Sequence, residues 1–372
     1  MAKKKLMLVF GTRPEAIKMC PLILECRQRG DRFDVVVCLS GQHKDMLMPV
    51  LEYFQIRPDY NLEVMKEEQS LTDVTVGVLT KLGPVLEKEK PDILLVHGDT
   101  TTTFAGALAA FYRQIPVGHV EAGLRTYDFS SPYPEEFNRQ GAGILACYHF
   151  APTEWAARNL VGERKKPENI FVTGNTVLDA IKTTIREDYR HPELDWAADS
   201  SLLLVTAHRR ENLGQPMIQM FGAIRRIAED YPKVKVIYPI HKNPKVRRIA
   251  DQYLRGHERI HIIEPLDVFA FHNFMSRCYF ILTDSGGLQE EASAVKKPVL
   301  LMRNTTERPE GVEAGIINMT GTEEEAIYRA ASRLLEDGGL YQKMISGQNP
   351  FGDGFASRRI ADILEKVLSD GK

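Results

Sequence analysis

Short apolar runs that stop at a small or polar turn and pass directly into a helical pattern recur along this 372-residue chain. That alternation constrains the fold more than any other feature. In the first half the runs cover residues 6–10, 35–39, 93–96, 117–120, 148–152 and 170–172. In the second half they cover 202–206, 234–238, 260–263, 280–283 and 299–302. Runs this short and this uniformly apolar suit strands buried on both faces, as in a parallel sheet covered by helices. The chain is too long for one ordinary domain, and the pattern restarts after the polar stretch 195–200. An α/β protein of two doubly wound, Rossmann-like domains facing each other across a cleft is therefore expected. The expected domains are residues 1–174 and 175–353, with Thr173-Gly174-Asn175-Thr176 as the hinge. Residues 354–372 carry an amphipathic helix expected to pack across the domain junction. No residue-level repeat relates the two halves.

Composition narrows the function. A net charge of −2 leaves no basic footprint, which argues against nucleic acid as a partner. No stretch approaches the ~20 apolar residues of a membrane span. Met1-Ala2-Lys3-Lys4-Lys5 resembles the start of a signal peptide, but the apolar run after it is far too short. Cys20, Cys26, Cys38, Cys147 and Cys278 are scattered, which fits reduced thiols, no zinc site and a cytoplasmic protein. Neither a GxGxxG nor a GxxxxGK[ST] motif occurs, so dinucleotide and P-loop readings lack support.

In open α/β sheets ligands bind outside the carboxyl ends of the strands, so the residues after each run are the candidates. Phe280-Ile281-Leu282-Thr283 ends at Asp284-Ser285-Gly286-Gly287, and a helical pattern follows. A strand, a small-residue turn and a helix start bring backbone N–H groups toward an anion. Gly286 and Gly287 allow close approach, Ser285 adds a hydroxyl, and Glu290 and Glu291 lie where a carboxylate accepts from ribose hydroxyls. An ordinary turn capped by Asp284 or Ser285 has the same local sequence. After the first run, Gly11-Thr12-Arg13-Pro14-Glu15-Ala16-Ile17-Lys18 places Arg13 and Lys18 at a strand end, with solvated surface cations as the alternative. His97-Gly98-Asp99 precedes a threonine run that marks a helix start. Glu121 follows another strand, and Glu135 and Glu136 open a helix, where carboxylates also serve as caps. His208, after the first strand of the second half, suits a donor to a phosphate or leaving group, or a packed polar histidine.

With these blocks in view, the chain resembles the non-hydrolysing UDP-N-acetylglucosamine 2-epimerases of bacteria nearly end to end. The resemblance rests on the Gly11 to Lys18 block, His97-Gly98-Asp99-Thr100, His119-Val120-Glu121-Ala122-Gly123-Leu124-Arg125-Thr126 and Pro134-Glu135-Glu136. It continues through His208-Arg209-Arg210-Glu211, Asp284-Ser285-Gly286-Gly287 and Thr306-Glu307-Arg308-Pro309-Glu310. It implies the GT-B fold, a homodimer, and interconversion of UDP-GlcNAc and UDP-ManNAc without metal or cofactor. It also implies that Arg13, Lys18, His208, Ser285, Gly286, Gly287, Glu291 and Arg308 hold UDP, with Phe271 stacking near the uracil. Asp99, Glu121 and Glu135 are the implied acid/base groups, aided by His208. Leu266 stands where the family often carries a glutamine near the uracil. Some members bind an activating second UDP-GlcNAc through residues matching Gln42, Arg210 and His241. The arginine of that pattern is Glu68 here, which would repel a diphosphate. A glycosyltransferase using a UDP-sugar donor and a non-catalytic nucleotide-sugar binding protein are the alternatives, and no acceptor groove is legible.

Overall fold

The computed structural model describes residues 3–41, 44–65 and 69–369, with the side chains of 44–46 and 210 outside that description. Among the described residues the chain forms two compact units, Met1–Ala180 with Gly352–Lys372, and Ile181–Phe351.

The first unit carries β1 (Lys4–Phe10), β2 (Phe33–Leu39), β3 (Tyr60–Asn61), β4 (Ile93–His97), β5 (Val117–Val120), β6 (Tyr148–Ala151) and β7 (Ile170–Val172). They form one sheet in the order β3-β2-β1-β4-β5-β6-β7, with every pairing parallel. Leu6 to Phe10 and Ile93 to Val96 are all 0 % exposed, which is why they read as unbroken apolar runs. The second unit carries β8 (Ser201–Thr206), β9 (Val234–Pro239), β10 (Ile260–Ile263), β11 (Phe280–Thr283), β12 (Val299–Leu301) and β13 (Ile317–Met319). Their order is β10-β9-β8-β11-β12-β13, again parallel. These two sheets are the doubly wound class that the alternation predicts. In each, the strand order reverses beside the unit's first strand, between β1 and β4 and between β8 and β11. That reversal parts the loops and opens a crevice at the carboxyl ends.

Helix starts follow local chemistry. Thr12 caps Arg13–Gln28 in a reciprocal capping box with Glu15, and Pro14 occupies the first turn. Thr100 caps Thr101–Phe111, so the threonine run does mark a helix start. Gly11 is required by packing, since a Cβ there would lie 1.9 Å from Ser40 Oγ.

Two boundaries differ from the sequence expectation. Residues 175–180 stay with the first unit, where Asn175 and Asp179 bond its other segments. The terminal helix Ala356–Ser369 also belongs to the first unit. Asp179 accepts from the amides of Ala356 and Ser357 at 3.1 and 2.8 Å, and Arg29 meets Asp362 at 2.6 Å.

Candidate functional site

At the reversal point of the second unit, Thr206 and Thr283 end adjacent strands with their hydroxyls 2.6 Å apart. The next residue, Asp284, is 0 % exposed and accepts from the amides of His208 and Arg209 at 3.0 and 2.9 Å. It also accepts from Asn212 Nδ2 at 3.0 Å. Asp284 therefore fixes the loop that presents His208, whose half-exposed ring stacks 5.3 Å from that of His241. The Ser285-Gly286-Gly287 turn is bordered by two guanidiniums. A Cβ at Gly286 would lie 3.1 Å from Arg308 Nη1 and 3.4 Å from Arg209 Nη2. Arg308 Nε bonds the buried carboxylate of Glu290, and Arg303 bonds Glu307 at 3.0 Å. Burial alone would push Glu307 up; Arg308 and Arg303 outweigh it and hold the carboxyl at about 2. Arginine donors beside a glycine turn are chemically suited to an anion such as a phosphate. Close by, the buried ring of His272 places Nδ1 2.7 Å from Thr184 Oγ1 and Nε2 3.6 Å from Glu291 Oε2. Phe271, half-buried, precedes it on the helix Val268–Arg277.

The first unit repeats this construction with different chemistry. Glu15, 2 % exposed, accepts from the Gly11 and Thr12 amides after β1 at 3.0 and 2.8 Å. It also accepts from Thr100 and Thr103 after β4 at 2.7 and 3.1 Å, so one carboxylate ties both sides of the reversal point. Burial pushes its carboxyl up, against the pull of those donors. Glu121 lies just past β5 in the left-handed backbone region, with φ 60°. A non-glycine residue there stores strain of about 1–3 kcal/mol, which a structure keeps where it fixes a side chain. The Glu121 carboxylate pairs with Lys18 and accepts from Asn175 Nδ2 at 2.7 Å. Gly98, at φ 66°, makes the turn between His97 and Asp99 that glycine accommodates without strain. Asp99 pairs with Arg139 on the helix Glu135–Leu145. Glu135 opens that helix about one turn earlier. Its neighbour Glu136, 0 % exposed, accepts from the Thr126 and Tyr127 amides, both at 3.0 Å. Burial raises the Glu136 carboxyl, and the Gln140 and Thr126 donors outweigh that to bring it below its usual range. No group of three His, Cys, Asp or Glu that could hold a metal is present among the described residues.

The family model for UDP-N-acetylglucosamine 2-epimerase matches residues 25–365. A Bacillus subtilis protein named UDP-N-acetylglucosamine 2-epimerase is 56% identical over 364 residues, covering 98% of this chain and 96% of its own. The chain belongs to the UDP-N-acetylglucosamine 2-epimerase family. Among solved structures, the Neisseria meningitidis UDP-GlcNAc 2-epimerase bound to UDP-GlcNAc is 44% identical, with a TM-score of 0.90 over 97% of this chain and 100% of its own. The S. aureus MnaA–UDP co-structure is 51% identical, with a TM-score of 0.91 over 98% and 97% of the two chains.

Against that family, several expected residues take unexpected places. Lys18, expected to hold a nucleotide, is the counter-ion of Glu121. Glu290, one of two carboxylates expected where ribose hydroxyls donate, is buried and bonded to Arg308, whereas Glu291 Oε2 lies 3.6 Å from His272 Nε2. The Ser285 amide bonds back to Thr283 Oγ1 at 2.9 Å, tightening the turn. Arg13 is half-buried in the first turn of its helix, and Leu266 is half-buried before Asp267. Of the residues matched to an activating site, Gln42 and Glu68 lie outside the described residues, as does the side chain of Arg210; His241 stacks on His208. The contacts of Arg139, Arg209 and Asn175 were not legible in the sequence. Arg209 and Asn175 stand inside stretches already singled out and Arg139 stands a few residues after Glu135 and Glu136, so their signal was position alone.

Proposed function

We propose that this protein epimerises carbon 2 of UDP-N-acetylglucosamine, giving UDP-N-acetylmannosamine, and that the product supplies cell-surface polysaccharide. Full-length similarity to proteins named for this activity carries the reading, and the side chains meet the demands of the chemistry. The proton on carbon 2 is not adjacent to a carbonyl, so removing it alone is prohibitive. Breaking the bond from carbon 1 to the diphosphate oxygen makes carbon 1 electron-poor, and the electrons of the carbon 2–hydrogen bond then form a double bond between the two carbons. The C–O electrons leave with UDP, giving 2-acetamidoglucal. Re-addition of UDP at carbon 1 and of a proton on the other face of carbon 2 gives the epimer.

Each unit has its part. In the second, Ser285, Gly286, Gly287, Arg308 and Arg209 receive the diphosphate, Glu291 the ribose and Phe271 the uracil, while His208 donates to the departing oxygen. In the first, Asp99, Glu121 and Glu135 supply acid and base for the two faces, with Arg13 as a further cation. Lys18 and Asn175 hold Glu121, and Arg139 holds Asp99. General acid/base help is worth about 10²–10⁴-fold, so orientation and charge stabilisation of departing UDP must supply most of the rate. The test follows purified protein with UDP-GlcNAc by NMR, with and without an acceptor sugar. UDP-ManNAc signals should grow without acceptor. Turnover only with acceptor would make it a transferase, and binding without turnover a nucleotide-sugar carrier.

A further inference from the structure

His97 ends β4, is 2 % exposed, and places Nε2 3.8 Å from Glu121 Oε2 without any hydrogen-bond partner. Leaving a buried polar group unpaired costs about 1–3 kcal/mol, so the orphan calls for an explanation. Two of the groups that meet Glu121 Oε2 are donors. Lys18 has three donors and no acceptor, and Asn175 presents its amide nitrogen because its Oδ1 takes the Val177 amide at 3.0 Å. That arrangement suits Glu121 as a carboxylate. Once Glu121 takes a proton it becomes a donor, and neither Lys18 nor the Asn175 nitrogen can receive its hydrogen.

We propose that His97 is a positioning residue whose Nε2 accepts the hydrogen of protonated Glu121, making Glu121 a stronger base than Lys18 alone would leave it. The inference rests on the reading above, in which Glu121 carries a proton during the reaction. No proton passes to the ring. His97 stays neutral with its hydrogen on Nδ1, and the proton from carbon 2 stays on Glu121, hydrogen-bonded to Nε2. Burial, opposed by Glu121 and reinforced by Lys18, lowers His97 to about 4, so the ring is neutral where an enzyme works. Lys18 on the helix Arg13–Gln28 is a cation, and His119 on β5, with Arg125 near it, is lowered by burial to about 4. His119 Nε2 meets the Gly98 carbonyl at 2.7 Å, so His119 serves the turn while His97 serves the carboxylate.

The experiment measures kcat and KM against pH for His97→Gln, His97→Asn and His97→Phe, with Glu121→Gln alongside. Glutamine can offer a carbonyl oxygen near the Nε2 position; asparagine is too short and phenylalanine has no acceptor. His97→Phe and His97→Asn should lose about 10–100-fold in kcat, part of the range for acid/base help, with KM close to the parent. A weaker base stays ionised to lower pH, so the acidic limb of their kcat profiles should move down, while His97→Gln keeps most of the parent profile. UDP titration reports whether each variant is folded, and His97→Asn decides the matter if phenylalanine is not tolerated. An acidic limb that stays in place or moves up, or equal losses in all three variants, overturns the proposal. If Glu121→Gln itself turns over normally, the assignment of Glu121 has failed instead, and the two failures are told apart.

Discussion

Glu121→Gln should lower turnover by about 10²–10⁴-fold while leaving UDP binding and the fold intact. Glutamine keeps an oxygen for Lys18 and Asn175 but cannot take up a proton, so the variant removes the chemistry and spares the packing. Asp99→Asn, which leaves Arg139 a neutral acceptor, and Glu135→Gln should fall in the same way. Steady-state rates beside UDP titration make the check. Any variant that keeps turnover within about tenfold of the parent is not a principal acid or base, since that is less than such a group contributes.

Arg308→Ala should show two separable losses. Its guanidinium borders Gly286 and bonds the buried Glu290, so the side chain faces both the proposed phosphate and the core. Loss of a charge-assisted contact, about 1.5–3 kcal/mol, should weaken UDP binding roughly ten- to a hundredfold. Removing one partner of a buried ion pair should also cost about 3–5 kcal/mol of stability, because Glu290 and Glu307 keep their charge without the cation. Adding Glu290→Gln to Arg308→Ala should recover much of the stability and none of the affinity. Denaturant unfolding and UDP titration on both variants separate the effects. Unchanged UDP binding in both would move the nucleotide away from the Asp284 turn.

The sheets were legible because their strands are buried on both faces and so leave uninterrupted apolar runs. β3 and β13 left none: Tyr60–Asn61 is two residues long, and Asn318 and Met319 are exposed. The amphipathic pattern of 354–368 announced a buried face but not its partner, which is a property of tertiary packing. Within the site, the blocks were legible and the division of labour was not. Glu135 and Glu136, like Glu290 and Glu291, are adjacent carboxylates on a helix. Neighbours there point about 100° apart, so one turns into the fold and the other away from it. By sequence either member of the second pair could accept from ribose hydroxyls, and only the fold shows that Glu290 is bonded to Arg308. Asp284 holds backbone amides across the reversal point of its sheet, and Glu15 holds the Thr100 and Thr103 hydroxyls across its own; such carboxylates look in sequence like catalytic ones. Lys18 reads as a phosphate-binding cation at a strand end until the 103-residue separation from Glu121 is closed by folding.

The central claim is that carbon 2 loses its proton to a carboxylate while UDP departs. Its most direct test incubates the purified protein with UDP-GlcNAc in deuterated water and reads carbon 2 by NMR. Two groups serving opposite faces mean that the proton returned is not the one removed, so solvent label enters wherever the carboxylate exchanges first. Deuterium should appear at carbon 2 of both UDP-GlcNAc and UDP-ManNAc, with traces of 2-acetamidoglucal and free UDP accumulating slowly. Epimerisation with the original proton fully retained at carbon 2 and no glycal formed would contradict the account.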